Sequence, residues 1–228
     1  MDITLHYQEA GAGEPLILLH GNGENGEYFR HQIVYFSKKY RVIAVDTRGH
    51  GQSPRGTAPF TIQQFAGDLK DFMDQLEISR AVLLGFSDGA NIAMKFALSY
   101  PERVKALILN GGNLNAAGVK RLVQLPIEIG YWMAKRFAEK SADAKASMEL
   151  LGLMVNEPNI PAVRLREIHA PVLVIAGTRD MIKKSHTEEL AQSFPNARLA
   201  FVKGNHFIAA KNPQAFNQTV ESFLENLG

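Results

Sequence analysis

The sequence predicts an α/β fold, a three-layer arrangement in which a mostly parallel sheet of about seven strands carries helices on both faces and a small helical insertion. Three observations support it. Short apolar runs, β-branched or leucine-rich, recur along the chain and end in Gly, Asp or Asn clusters. Segments with helical spacing lie between them. One stretch, from about 113 to 161, breaks that alternation.

The first element, Ile3–Tyr7, alternates apolar and polar residues and is followed by Gly11 and Gly13 as turn residues. It is expected to pair antiparallel beside the strand at Leu16–Leu19. Buried parallel strands are expected at Leu16–Leu19, Val42–Val45, Ala81–Leu84, Val104–Leu109 and Val172–Ala176, and Leu199–Val202 completes a set of seven. Helical spacing falls at Tyr28–Lys38, Ile62–Leu76, Asn91–Tyr100, His186–Phe194 and Pro213–Leu227. Residues 1–112 and 162–228 thus form one core. Residues 113–161 form a helical cap, with a helix over Ala134–Ala146.

At 228 residues the chain is long enough to bury a single large core. Apolar residues make up 46% and charged residues 21%, as in ordinary globular domains. Lys and Arg number 25 against 23 Asp and Glu and are dispersed, so no basic stripe exists for a nucleic acid backbone. The absence of Cys rules out disulfides, thiolate metal sites and a cysteine nucleophile. Neither a secretion signal nor an apolar run long enough to cross a bilayer is present, so a cytoplasmic protein without stable membrane insertion is expected. Self-association into a homo-oligomer stays open.

Gly85-Phe86-Ser87-Asp88-Gly89 fits G-x-S-x-G, directly after one expected strand and directly before a helix. A sharp strand-to-helix turn of this kind holds Ser87 in a strained backbone conformation, tolerable only where the flanking side chains are tiny, as at Gly85, Gly89 and Ala90. The helix behind it aims its N-terminal N–H groups at a developing oxyanion. The alternative is a Gly-rich connection with a surface serine.

With these residues the chain resembles the α/β-hydrolase family over nearly its whole length. His20-Gly21-Asn22-Gly23 and Asp46-Thr47-Arg48-Gly49-His50-Gly51-Gln52-Ser53 carry the resemblance along with the Ser87 motif. It implies a serine hydrolase of esterase, monoacylglycerol lipase-like or C–C hydrolase-like type, with the chain order Ser, acid, His. The nucleophile is then Ser87. The acid is Asp180, just after Val172–Ala176, and the base is His206, on the loop after the last strand. The backbone N–H groups of Asn22 and Asp88 would form the oxyanion hole. Asp46 and the side chain of Asp88 are rival acids that do not follow this order, and His20 reads as a structural hydrogen-bonding residue. Measured against the fuller family pattern, one strand is missing before Ile3. A serine at position 87 also excludes the family's Asp-nucleophile dehalogenase and epoxide hydrolase chemistries. No metal site and no cofactor are expected.

The insertion is rich in apolar side chains, part of which is expected to roof the site. Leu125, Ile129, Trp132 and Met133, with Phe207 beside the base, are the pocket candidates. A roofed apolar pocket implies a small-molecule partner, a short- to medium-chain ester, thioester or lactone. Two alternatives remain: a C–C bond hydrolase or enol-lactonase of a catabolic pathway, and a ligand-binding signalling protein on the same fold.

Overall fold

The computed structural model describes residues 2–227. Seven strands form one sheet: β1 (Tyr7–Ala10), β2 (Glu14–Leu19), β3 (Tyr40–Val45), β4 (Ala81–Phe86), β5 (Val104–Asn110), β6 (Val172–Gly177) and β7 (Ala197–Val202). Their spatial order is β1-β3-β2-β4-β5-β6-β7, and only β1 runs antiparallel to its neighbour. Side chains alternate across the sheet. Ile17, Leu19, Leu83, Leu107 and Val174 join one buried cluster, while Leu16, Leu18, Leu84, Ile108 and Ile175 join a second on the opposite face. The continuous apolar runs reflect this burial on both sides.

Helices α1 (Arg30–Phe36) and α8 (Pro213–Leu224) cover one face; α2 (Ile62–Gln75), α3 (Asp88–Ser99) and α6 (Lys184–Gln192) cover the other. Two helices fill the insertion, α4 (Arg121–Phe137) and α5 (Ala142–Asn156), and α7 (Ile208–Lys211) is a single turn. None of the described helices is long and apolar enough to cross a membrane.

The first strand departs from expectation in place and partner. It lies at Tyr7–Ala10 and pairs with β3, Tyr7 opposite Val45, rather than beside Leu16–Leu19. Both edges of β2 are already taken by parallel partners β3 and β4, so an added strand can join only at the outer edge of β3. Gly11 lets the chain cross to that edge, because a β-carbon there would strike the carbonyl oxygens of Ser37 and Tyr40. His6 is tied outside the sheet, its N–H donating to Ser53 Oγ at 2.8 Å.

The helix expected over Ala134–Ala146 is in fact the end of α4, a turn, and the start of α5. Ser141 makes the break by capping α5, its Oγ accepting from Ala144 N at 3.2 Å. Helix α4 also runs through Pro126, a residue that ordinarily marks a helix boundary.

Helices α4 and α5 pack on each other, with Tyr131 lying against Gly152 and Leu151 against Gly130. The pair is fastened to the core at three points. Asn22 Nδ2 donates to Leu150 O at 2.7 Å, Arg55 forms a bidentate pair with Glu149, and Ile62 N donates to Glu157 Oε2 at 2.9 Å.

Arg48 anchors the loop after β3. Its fully buried guanidinium donates twice to Asp68, at 2.7 Å each, and once to Asp2 at 2.6 Å. Removing one member of a buried ion pair strands the other's charge. Arg48→Met is therefore expected to lower unfolding stability by about 3–5 kcal/mol, read from urea unfolding curves. A loss below about 1 kcal/mol would mean that Asp68 is rehydrated or neutralised at little cost.

Candidate active site

Ser87 stands between β4 and α3 with φ 53° and ψ −117°, one of three non-glycine residues with positive φ among those described. Such a conformation persists only where its surroundings impose it. A β-carbon on Gly89 would collide with the Leu19 carbonyl, and one on Gly85 with the Gly89 carbonyl, so the turn closes only with glycine at both positions. Ser87 N donates to Asn110 O at 2.8 Å, while Ser87 O accepts from Ala90 N at 2.9 Å.

Asp180 follows β6, and His206 lies in the loop between β7 and α7. Both are buried, and His206 Nδ1 is 2.6 Å from Asp180 Oδ1. A carboxylate only accepts hydrogen bonds, so Nδ1 carries the proton and Nε2 the lone pair of the neutral ring. Asp180 also accepts from Ile182 N at 3.0 Å and Gly177 N at 3.2 Å. Burial pushes its carboxyl upward, but the His206 ring and these two N–H groups outweigh burial and hold it below the ordinary aspartate value.

The His206 ring packs 4.8 Å from the Phe86 ring, beside the residue that precedes Ser87. A β-carbon on Gly111, next to the Asn110 that holds Ser87 N, would stand 2.6 Å from His206 Cε1. The three expected residues are thus brought to one place, with the acid–base contact formed. His206 Nε2 is buried and hydrogen-bonds to none of the described residues, so Ser87 and His206 are neighbours without a mutual hydrogen bond. Contacts of this kind often tighten only when substrate binds.

Asn22 lies on the facing loop, where a β-carbon on Gly21 would be 3.3 Å from Ser87 Cβ. Asp88 is the first residue of α3, so its N–H is among the donors that a helix start leaves free. Asn22 thus follows a residue that touches Ser87, and Asp88 is its neighbour in the chain.

The rivals have other work. Asp46 accepts from Gly26 N, Gln52 N and His6 Nδ1 at 2.8–2.9 Å, which occupies the carboxylate in holding the loop. His20 is buried, with Nδ1 2.7 Å from Gly21 O and Nε2 accepting from Thr47 N at 3.0 Å. Burial, and then the nearby His50, lower it to about 4, so it stays neutral and ties two loops together. Among the described residues no group of three or more His, Cys, Asp or Glu converges to hold a metal ion.

Four of the five pocket candidates lie elsewhere. Leu125, Ile129, Trp132 and Met133 are 42–61% exposed and face solvent. The inward stripe of α4 is instead Gln124 and Tyr131 with half-buried Val123, Ile127 and Ala134, because α5 packs on that side. Phe207 alone stays at the site, its ring 5.6 Å from both Phe86 and His206.

Residues that sequence reasoning missed complete the surroundings. Tyr28 stacks on Phe86 with ring centres 4.3 Å apart and planes 6° from parallel. Glu24 N donates to Gly21 O at 3.2 Å, and burial pushes the Glu24 carboxyl up to about 7. Burial likewise pushes Asp88 up to about 6, against the pull of the Asn22 and Asn91 amides. In the sequence Glu24 stands out only by its place directly after His20-Gly21-Asn22-Gly23.

A carboxyl that ionises near 4.5 when unfolded and near 7 when folded favours the folded state below that window, and this advantage is lost as pH rises through it. Glu24→Gln is therefore expected to raise the thermal midpoint at pH 8 and to give a smaller gain at pH 5. A gain equal at both values would show that the carboxyl is well solvated.

A family model described as alpha/beta hydrolase fold matches residues 14–150. The chain is 29% identical to 3-oxoadipate enol-lactonase 2 of Acinetobacter baylyi, covering 98% of this chain and 94% of that protein. It is 30% identical to the 2-hydroxy-6-oxononadienedioate/2-hydroxy-6-oxononatrienedioate hydrolase of Paraburkholderia phymatum, covering 98% and 91%. The crystal structure of the enol-lactonase from Burkholderia xenovorans superposes with a TM-score of 0.81 at 23% identity, covering 98% of this chain and 97% of the other.

Proposed function

The chain belongs to the α/β-hydrolase fold family and is a hydrolase, and from that premise we propose that it cleaves a small carboxylic ester, thioester or lactone through an acyl-serine on Ser87. The observation that carries this reading is the 2.6 Å contact between His206 and Asp180, set beside a serine held at positive φ.

In the proposed reaction Ser87 Oγ attacks the substrate carbonyl carbon while His206 Nε2 takes the hydroxyl proton. Asp180 keeps the ring in the required tautomer and stabilises the imidazolium. The carbonyl oxygen becomes an oxyanion facing the N–H groups of Asn22 and Asp88. When the bond to the leaving group breaks, the imidazolium returns the proton to the departing oxygen or sulfur. Water then repeats the sequence on the acyl-serine, releasing the acid and restoring Ser87. Helices α4 and α5 roof the site in this reading, supported by the hydrogen bond from the Asn22 side chain to α5.

A second reading, hydrolysis of a C–C bond or an enol-lactone, would employ the same residues. Likeness to relatives bearing those names favours it.

Fluorophosphonate labelling, combined with turnover of p-nitrophenyl esters of graded chain length, an enol-lactone and a C–C cleavage substrate, tests both. Labelling at Ser87 with ester or thioester turnover is expected. Preference for the lactone or the C–C substrate would move the assignment to the second reading. Labelling without turnover of any of them would point to the signalling role.

A further inference from the structure

Four buried side-chain atoms without hydrogen-bond partners gather around Ser87: Glu24 Oε2, Tyr28 OH, Asp88 Oδ2 and His206 Nε2. Their grouping rests on ring contacts and on charge. Tyr28 stacks on Phe86, whose ring touches that of His206, the Glu24 carboxyl is close enough to His206 and to Tyr28 for their charges to act on one another, and the Asp88 carboxyl likewise feels His206.

The proposed reaction employs only His206 Nε2. Buried polar atoms are ordinarily satisfied, so the other three call for a partner that arrives with the ligand. Two are carboxyl oxygens, and the third is a phenol that can accept or donate. Glu157 adds a further half-buried carboxyl close enough to Asp88 to oppose its ionisation, although Lys95 lies near enough to Glu157 to offset part of its charge. Arg55, which reaches α5 from the core, is committed to Glu149.

Such a wall accepts hydrogen bonds and repels anions. Resting on the hydrolase reading above, we propose that the site beside Ser87 selects a substrate bearing a hydrogen-bond donor, a hydroxyl or an ammonium group received by Glu24 and Tyr28, over one bearing a carboxylate. Glu24 is the specificity-determining residue. An ammonium group would pair with its ionised carboxyl, and a hydroxyl would bridge the carboxyl and the Tyr28 phenol. A substrate carboxylate would set two like charges together in a partly dry site.

The test uses two matched ester series at pH 8, followed by acid release. The first varies the acyl side: ethyl butanoate, ethyl 3-hydroxypropanoate, ethyl 3-aminopropanoate and monoethyl succinate. The second varies the alcohol side: acetate esters of propan-1-ol, ethylene glycol and glycolic acid. In at least one series kcat/KM for a donor-bearing ester is expected to exceed that of the carboxylate ester by about tenfold or more. Glu24→Gln and Tyr28→Phe should each shrink that ratio about fivefold. A ratio taken within one enzyme cancels any change common to all substrates.

Equal or better turnover of the carboxylate esters, or ratios unmoved in both variants, would overturn the inference while leaving Ser87 in place. No fluorophosphonate labelling of Ser87 and no hydrolysis in either series would overturn the hydrolase reading and the inference together. An ammonium ester favoured over its hydroxyl counterpart would assign the donor as cationic; the reverse would assign it as neutral.

Discussion

Ser87→Ala is expected to abolish covalent labelling and to lower kcat by about 10⁶-fold, the scale on which loss of the nucleophile collapses other serine triads. The strain at this position resides in the backbone, with φ 53° held by Gly85, Gly89 and the hydrogen bond to Asn110 O, so alanine should adopt the same turn. The variant should fold with an unchanged circular dichroism spectrum and keep substrate affinity. Intact-mass spectrometry after incubation with a fluorophosphonate reads the result. A mass shift that persists in Ser87→Ala would place the nucleophile elsewhere, and an ester hydrolysis rate within tenfold of the parent would remove the acyl-serine from the mechanism.

Asp180→Asn is expected to cost about 10⁴-fold in kcat with little change in fold. Asp180 Oδ2 accepts from Gly177 N, while Oδ1 accepts from both Ile182 N and His206 Nδ1. An amide has one oxygen and one NH₂ group, and each of the three neighbours requires an acceptor. With the oxygen kept toward Gly177, the NH₂ group is set against the Ile182 N–H and faces His206 Nδ1, where it forces the proton onto Nε2 and removes the lone pair that Ser87 needs. The alternative flip sets NH₂ against the Gly177 N–H and keeps the oxygen on Ile182 N and His206 Nδ1, but a neutral amide no longer stabilises the imidazolium. Single-turnover kinetics with a p-nitrophenyl ester would measure the loss at the acylation step. A rate within tenfold of the parent would direct attention to another carboxylate near His206.

The three candidate site residues were legible because each occupies a position where local sequence constrains the backbone: a Gly-flanked turn for Ser87, and loops directly after parallel strands for Asp180 and His206. Strand runs were legible for a related reason, since burial on both faces leaves continuous apolar stretches. The partner of the first strand was not, because it depended on which sheet edges other strands had already occupied. The outward face of α4 was not legible either. Trp132 and Tyr131 are adjacent in sequence and similar in chemistry, yet one is 61% exposed and the other 9%, a choice made by the packing of α5. Glu24 and Tyr28 lay hidden for another reason: their burial comes from the meeting of the Gly21 loop with Phe86, a contact between segments about sixty residues apart.

Because Gly89 rests directly on the Leu19–His20 peptide, the loops bearing Asn22 and Asp88 are in mutual contact before any ligand arrives. That contact is made by the parallel pairing of β2 with β4 and belongs to the fold itself rather than to a ligand. In the proposed reaction a polar cradle of that sort would be built once in the lifetime of the molecule instead of once per turnover, and the reorganisation energy that water would charge at every cycle would be largely avoided.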